Sequence, residues 1–229
     1  MKRLTDLPEP SALIFDLDGT LVDTVATRIA AWLQTFAEER IPAAKDEVAA
    51  LIGSDGKMLA RDIAQRTSRT LRDDDADRID KRSGDIFDEI NTHPQPTAGA
   101  RSLLIALERS RLKWAIATSS LAAQTKVSIK ALELPEDPQV IDGSHVEHAK
   151  PAPDLLLLAA HKLETQPADC WYVGDSIWDM RAANAAGMIG VAVPYGAATK
   201  SDLVEAGADS VTELAAVESE LRARGLLSP

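Results

Sequence analysis

The chain has 229 residues, of which 45% are hydrophobic and 27% charged, with a formal net charge of -11. That length can bury a sizeable core, and the acidic balance excludes a nucleic-acid binder, because a phosphate backbone demands clustered Lys and Arg. The single cysteine, Cys170, excludes an internal disulfide and a cysteine-based zinc cluster. It fits a reducing compartment, so the protein reads as cytoplasmic. No apolar run approaches the length of a membrane span, and MKRLTDLPEP carries no apolar targeting core.

After a polar lead-in over residues 1–11, the apolar run Ala12–Phe15 is too short for a buried helix and is followed by turn signals, so it reads as a buried strand. Asp16 and Asp18 follow at its carboxyl end, with Gly19 breaking the strand. Residues two apart on an extended chain point the same way, so both carboxylates are expected in one crevice beyond the strand tip, where open α/β sheets bind ligands. Two such groups cannot both ionise cheaply without a counter-charge, which leaves a bound cation, a lysine or a shared proton. A bare Asp-x-Asp-Gly is also a common solvated turn.

Residues 24–39 carry Val25, Ile29, Trp32, Leu33 and Phe36 at helical spacing, with Thr24 as N-cap. From there to Asn91 the pattern stays helical, in pieces near 46–52, 57–67 and 73–90, with no strand-like alternation. The run Asp73-Asp74-Asp75 suits the first turn of a helix for dipole reasons better than a metal site. Residues 91–99, NTHPQPTAG, read as a linker in which His93 is a solvated loop residue. Helix and strand then alternate: helix 100–109, strand 112–117, helix 122–132, a short strand at 140–141, helix 154–163, strand 170–173, helix 178–186 and strand 189–193. A terminal amphipathic helix follows at 212–224. Such repetition forecasts an α/β fold, a doubly wound parallel sheet with a Rossmann-like core. The helical block that interrupts it is expected to be an inserted α-helical cap domain. We place the core at residues 1–22 and 95–229 and the cap at 23–94.

The string FDLDGTLVDT resembles the first motif of the haloacid dehalogenase-like hydrolase superfamily, whose members are mostly phosphatases with an aspartate nucleophile. The resemblance implies that Asp16 is the nucleophile and Asp18 the general acid/base, with Thr20 and Asp23 bracing the turn. Thr118, ending the strand before Ser119 and Ser120, matches the second motif; hydroxyls there can donate to phosphoryl oxygens without adding charge. Ser119 and Ser120 could equally be helix N-caps. Lys150, opening KPAPD, matches the third motif, whose lysine pairs with the nucleophile and the phosphoryl oxygens; its peptide to Pro151 is expected to be cis. GDSIWD, with Asp175 and Asp179, matches the fourth, the metal-binding motif. Oxygen ligands from Asp16 and Asp175 suit Mg²⁺, and by resemblance the backbone carbonyl of Asp18 completes the protein ligands. Asp179 either joins them or braces Lys150.

These matches imply a Mg²⁺-dependent phosphomonoesterase similar to the phosphoglycolate phosphatase group, acting on a small phosphorylated metabolite as a monomer or homodimer. A β-phosphoglucomutase is the alternative, but that group has a histidine shortly after the first motif where this chain has Arg28. A non-catalytic phosphate-binding protein is a further alternative, although no motif residue is lost. Phosphonate hydrolysis needs an early cap lysine, and residues 24–40 contain none. Substrate choice is expected at Gly53-Ser54-Asp55-Gly56-Lys57, where Lys57 or Arg61, one turn apart, would favour an anionic leaving group.

Overall fold

Six parallel strands lie side by side in the computed structural model, which describes residues 1–228. The chain begins with β1 (Ala12–Phe15) and β2 (Val22–Asp23), then runs through four helices, α1 (Val25–Glu38), α2 (Lys45–Ala49), α3 (Gly56–Arg66) and α4 (Asp73–Ile90). It returns through β3 (Gln95–Pro96) to α5 (Ala100–Glu108), β4 (Lys113–Ala117), α6 (Ala122–Ala131), β5 (Val140–Ile141) and α7 (Asp154–Lys162). The second half of the sheet follows as β6 (Cys170–Gly174), α8 (Ile177–Ala186), β7 (Ile189–Ala192), α9 (Lys200–Glu205), β8 (Ser210–Val211) and α10 (Leu214–Ala223).

The sheet order is β5-β4-β1-β6-β7-β8. Numbered by their appearance along the chain these strands run 3-2-1-4-5-6, the Rossmann order, whose switch point lies between the first and fourth strands. Here that point falls between β1 and β6. In the register, Phe15 stands level with both Ile116 and Val173, so β1, β4 and β6 end along one edge and release Asp16, Thr118 and Asp175 above it. The fold is thus a doubly wound α/β sheet with an inserted α-helical cap.

The pleat explains why the sheet is buried on both sides. Leu13 and Phe15 of β1, with Trp171 and Val173 of β6, pack against Leu103, Leu104 and Leu107 of α5 and Leu214, Val217 and Leu221 of α10. Ala12 and Ile14, with Cys170 and Tyr172, face Leu155, Leu156 and Ala159 of α7 and Ala182, Ala183 and Ala186 of α8. Alternation of period two sends each strand's side chains into two cores. Cys170 is accordingly a buried free thiol, which burial pushes above the usual thiol range.

The cap has its own core. Ile29, Trp32 and Phe36 of α1 meet Leu59 and Ile63 of α3 and Ile79 of α4, with the Trp32 and Phe36 rings stacked 5.4 Å apart. Trp178 from α8 also joins this cluster, and its indole N–H donates to the Ala50 carbonyl at 3.2 Å. Asp73, Asp74 and Asp75 occupy the first turn of α4, as the dipole argument requires.

Two expectations are corrected and a third is narrowed. The stretch read as a plain linker contains β3, which pairs antiparallel with β2 (Val22 opposite Pro96, Asp23 opposite Gln95), so a two-stranded ribbon ties the cap's entry to its exit. Thr24 is the N-cap residue of α1, as expected, but without a side-chain cap bond; its hydroxyl donates to Asp18 Oδ1 at 2.6 Å instead. Ser119 and Ser120 are not the N-cap of α6, which is Leu121. Among the described residues, no helix is long and apolar enough to cross a membrane.

Candidate active site

Asp16 leaves β1 with its backbone N–H still bonded to the Val173 carbonyl at 2.9 Å, so the carboxylate starts from a rigid strand end. The chain then turns sharply at Gly19, which sits at φ 85° with its N–H on Val22 O at 2.7 Å. A side chain there would be strained and would collide with the Asp175 carboxylate, so only glycine lets the two strand ends come this close. Thr20 completes the turn by donating its hydroxyl to Asp175 Oδ1 at 2.8 Å. Asp23, also expected to brace the turn, is exposed instead.

Lys150 is 1% exposed, and its ammonium donates to Asp16 Oδ1 at 2.6 Å, Asp179 Oδ1 at 2.7 Å and Tyr172 Oη at 3.3 Å. Its peptide to Pro151 is cis. Burial alone would push this lysine down, but Asp16 and Asp179 outweigh it and hold the ammonium charged. Tyr172 was not anticipated as a site residue; its hydroxyl donates towards Asp179 Oδ1 at 2.9 Å, and burial first, then the Asp179 charge, keeps it a neutral phenol.

Asp16, Asp175 and Asp179 bring one carboxylate oxygen each to within 4.8 Å of one another, all buried. Burial, followed by the charges of Asp179 and Asp16, pushes Asp175 well above the usual carboxylate range; the Thr20 hydroxyl and Lys150 offset this only in part. Asp16 is also raised, by burial first, against the pull of Lys150. Three carboxylates thus face one ammonium, so ionising all of them leaves an excess of two negative charges, and all the donors are hard oxygens. The donor set fits a divalent cation. Asp179 has both oxygens engaged, Oδ1 by Lys150 and Tyr172 and Oδ2 by the Ser176 N–H at 2.9 Å and hydroxyl at 2.6 Å. That geometry makes it a brace for Lys150, locked by the capping box that starts α8.

Asp18 points away from this cluster. It accepts from the Thr24 hydroxyl at 2.6 Å, the Ser120 hydroxyl at 2.6 Å and Arg28 Nη2 at 2.9 Å. Burial works against its ionisation, yet Arg28 and the two hydroxyls together hold it below the usual carboxylate range. The two aspartates of the first motif therefore share neither lysine nor proton; each has its own cation. Thr118 is buried at the end of β4 and accepts from the Ser120 N–H at 3.2 Å, while the Ser119 hydroxyl reaches the Gly53 carbonyl of the cap at 3.5 Å.

These residues enclose a cavity of about 70 Å³ between sheet edge and cap, lined by Asp16, Asp18, Thr118 and Lys150 on the core side and by Arg28 and Asp80 on the cap side. Of the loop expected over the crevice, Gly53, Ser54 and Gly56 line it, whereas Lys57 and Arg61 do not. Lys57 pairs with Asp77 at 2.6 Å and Arg61 with Asp73 at 2.7 Å, because α4 presents these acids one turn apart alongside α3. The cation that does enter is Arg28. Its signal was present in the sequence, since Val25, Arg28, Ile29 and Trp32 share one helical stripe and a charge within an otherwise apolar stripe faces something polar.

A parallel sheet of Rossmann order, carboxylates and a buried lysine at its switch point, and a helical cap above them define a capped α/β phosphohydrolase. Residues 13–193 match the haloacid dehalogenase-like hydrolase family, and the chain belongs to that family, in its phosphatase group. It is 30% identical over 190 residues to the N-acetylmuramic acid 6-phosphate phosphatase of Pseudomonas putida, covering 81% of this chain and 83% of that protein. It is 30% identical over 216 residues to the phosphoglycolate phosphatase of Nitrosospira multiformis, covering 87% and 90%. The crystal structure of a hydrolase from Pseudomonas syringae superposes with a TM-score of 0.84 at 33% identity, covering 88% of this chain and 93% of that one.

Proposed function

We propose that this phosphatase is a Mg²⁺-dependent phosphomonoesterase for a small phosphorylated metabolite, similar to phosphoglycolate phosphatases, working through a phosphoaspartate at Asp16. The observation that carries the reading is the buried Asp16-Lys150-Asp179 chain beside Asp175, on the crevice where the strand order reverses. Residues 23–94 serve as the cap and the remainder as the catalytic core. A chain whose one cysteine is buried and leaves no internal disulfide to form fits a reducing compartment, the cytoplasm.

Asp16 and Asp175, with the backbone carbonyl of Asp18, would hold Mg²⁺. When bound, the ion would neutralise charge on the phosphoryl oxygens and on the carboxylates around them. The chain's own groups do the rest. Lys150 holds Asp16 by one oxygen and leaves the other to attack phosphorus, while the hydroxyls of Thr118 and Ser119 and the Lys150 ammonium receive the phosphoryl oxygens. The bond from Asp16 to phosphorus forms as the ester P–O bond breaks. Asp18, ionised while Arg28 holds it, takes up a proton from solvent when that contact yields and gives it to the departing alkoxide. Asp18 then takes a proton from water, whose oxygen attacks phosphorus. The Asp16–phosphorus bond breaks and orthophosphate leaves.

The test is phosphate release from a panel of phosphoglycolate, sugar phosphates and p-nitrophenyl phosphate, with Mg²⁺ and with chelator. Turnover that needs Mg²⁺ is the expected result. Zero release across the panel with Mg²⁺ present would overturn the reading.

A further inference from the structure

We propose that Arg28 is the specificity residue of this site: it reads a carboxylate on the leaving group of the substrate, and in doing so lets go of Asp18. The inference rests on the phosphomonoesterase reading above and names the substrate class of that site, a short phosphorylated carboxylic acid.

Arg28 is placed to do this by four elements. Its Nη2 donates to Asp18 Oδ2 at 2.9 Å and to the Ser120 hydroxyl at 2.6 Å, and its Nη1 donates to Gln124 Oε1 at 3.2 Å. The guanidinium carbon lies 3.5 Å over the Phe87 ring of α4. Its side chain is 12% exposed and that of Asp18 11%, so the pair is largely withdrawn from water. Of the residues lining the cavity only Arg28 and Lys150 are cations. Lys150 is already committed to Asp16 and Asp179, so Arg28 is the cation left for whatever lies beyond the phosphoryl group.

In this arrangement Arg28 blocks chemistry as well as favouring it. Asp18 Oδ2 is occupied by Arg28 and Ser120, and Oδ1 by Thr24. Neither oxygen can meet the leaving-group oxygen until one of these contacts yields. A neutral leaving group that displaces Asp18 from Arg28 strands a largely buried guanidinium without an anion, which is costly. A carboxylate in the same cavity replaces the lost partner, and the planar guanidinium can take it by two parallel hydrogen bonds. Asp80, on the cap wall of the same cavity, is an acid and repels that carboxylate, which directs it towards Arg28. A cavity of about 70 Å³ favours a short acid over a sugar acid.

The experiment compares 2-phosphoglycolate with 2-hydroxyethyl phosphate, which have the same chain length and differ in the carboxylate. Wild type is expected to prefer phosphoglycolate in kcat/KM by roughly 10- to 100-fold, the range of one charged hydrogen-bonded contact. In Arg28→Gln that preference falls to about 1, chiefly through KM for phosphoglycolate, and Arg28→Lys recovers part of it. Affinity of the two esters for Asp16→Asn and for Asp16→Asn combined with Arg28→Gln, by calorimetry, gives a readout independent of turnover. Thermal unfolding of each variant checks that it is folded. A preference unchanged by Arg28→Gln, or no preference in wild type that still hydrolyses p-nitrophenyl phosphate, overturns the inference and spares the phosphatase reading. No hydrolysis of any ester overturns the phosphatase reading; equal binding of the two esters then overturns the inference separately.

Discussion

Replacing Asp80 by Asn is expected to stabilise the protein near neutral pH and to do little in acid. Asp80 lies on α4 against the first turn of α3, so close to Gly56 that a side chain at that glycine would collide with its carboxylate. Among the described residues no cation stands within ion-pair distance of it. Burial raises its pKa to about 6, Asp55 adds to the rise, and Lys57 and Arg28 offset part of it. An unfolded aspartate titrates near 3.8. The native state therefore binds the proton more tightly, and that advantage is fully present below the unfolded value and lost as pH rises through about 6. A shift of roughly 2 units corresponds to ~3 kcal/mol above pH 7 and, by the same linkage, to ~0.5 kcal/mol at pH 4. Urea unfolding of wild type and Asp80→Asn at pH 7.5 and pH 4 measures both differences. A variant that is destabilised at pH 7.5, or whose effect does not change with pH, would refute the buried-acid reasoning.

Asp16→Asn should leave the fold intact by circular dichroism and retain less than about 1% of turnover, because the amide keeps the shape and loses the nucleophile. Asp175→Ala should raise the Mg²⁺ concentration for half-maximal activity at least roughly 10-fold while moving the substrate KM less, since it removes an oxygen from a site with few protein ligands. Metal titration at saturating substrate checks this, and an unchanged midpoint contradicts the assigned place of Asp175. Lys57→Ala and Arg61→Ala should each change stability by less than about 1 kcal/mol and leave kcat/KM for phosphoglycolate alone, as expected of partly exposed ion pairs on the outer face of α3. Selective loss on phosphoglycolate would return substrate reading to that loop.

How much of this was legible in the sequence depended on the length of the signal. Ala12–Phe15 and Cys170–Gly174 are continuous apolar runs bounded by turn residues, and both central strands stand where those runs lie. The stripes of α1 and α4 were long enough for periodicity to find them. The ribbon of β2 and β3 was not: β5 is as short but is the apolar pair Val140-Ile141, whereas the four ribbon residues include Asp23, Gln95 and Pro96 and show neither an apolar run nor alternation. The short α9 and β8 escaped for the same reason. In the site, residues reached by fixed spacing from a strand end, such as Asp16, Thr118 and Asp175, could be placed from the sequence. Ser120 and Tyr172 could not, since their roles come from contacts between segments, and the stripe of α1 marks Arg28 as facing something polar without naming Ser120, 92 positions away, as what it meets. Lys57 and Arg61 were misplaced because Asp73 was read through the helix dipole alone and Asp77 was not singled out, so neither was seen as a neighbour of α3.

Trp178 belongs to α8 by sequence but to the cap by packing. Any motion that separates cap from sheet must draw this indole out of its apolar surroundings and break its bond to Ala50, or else drag the start of α8 along. The next residue is Asp179, which holds Lys150. Opening and catalytic readiness are thus mechanically joined through one peptide bond. The indole would change its surroundings as the helices move, so the difference in emission between the protein and its Trp178→Phe variant would follow the cap, the other three tryptophans being common to both.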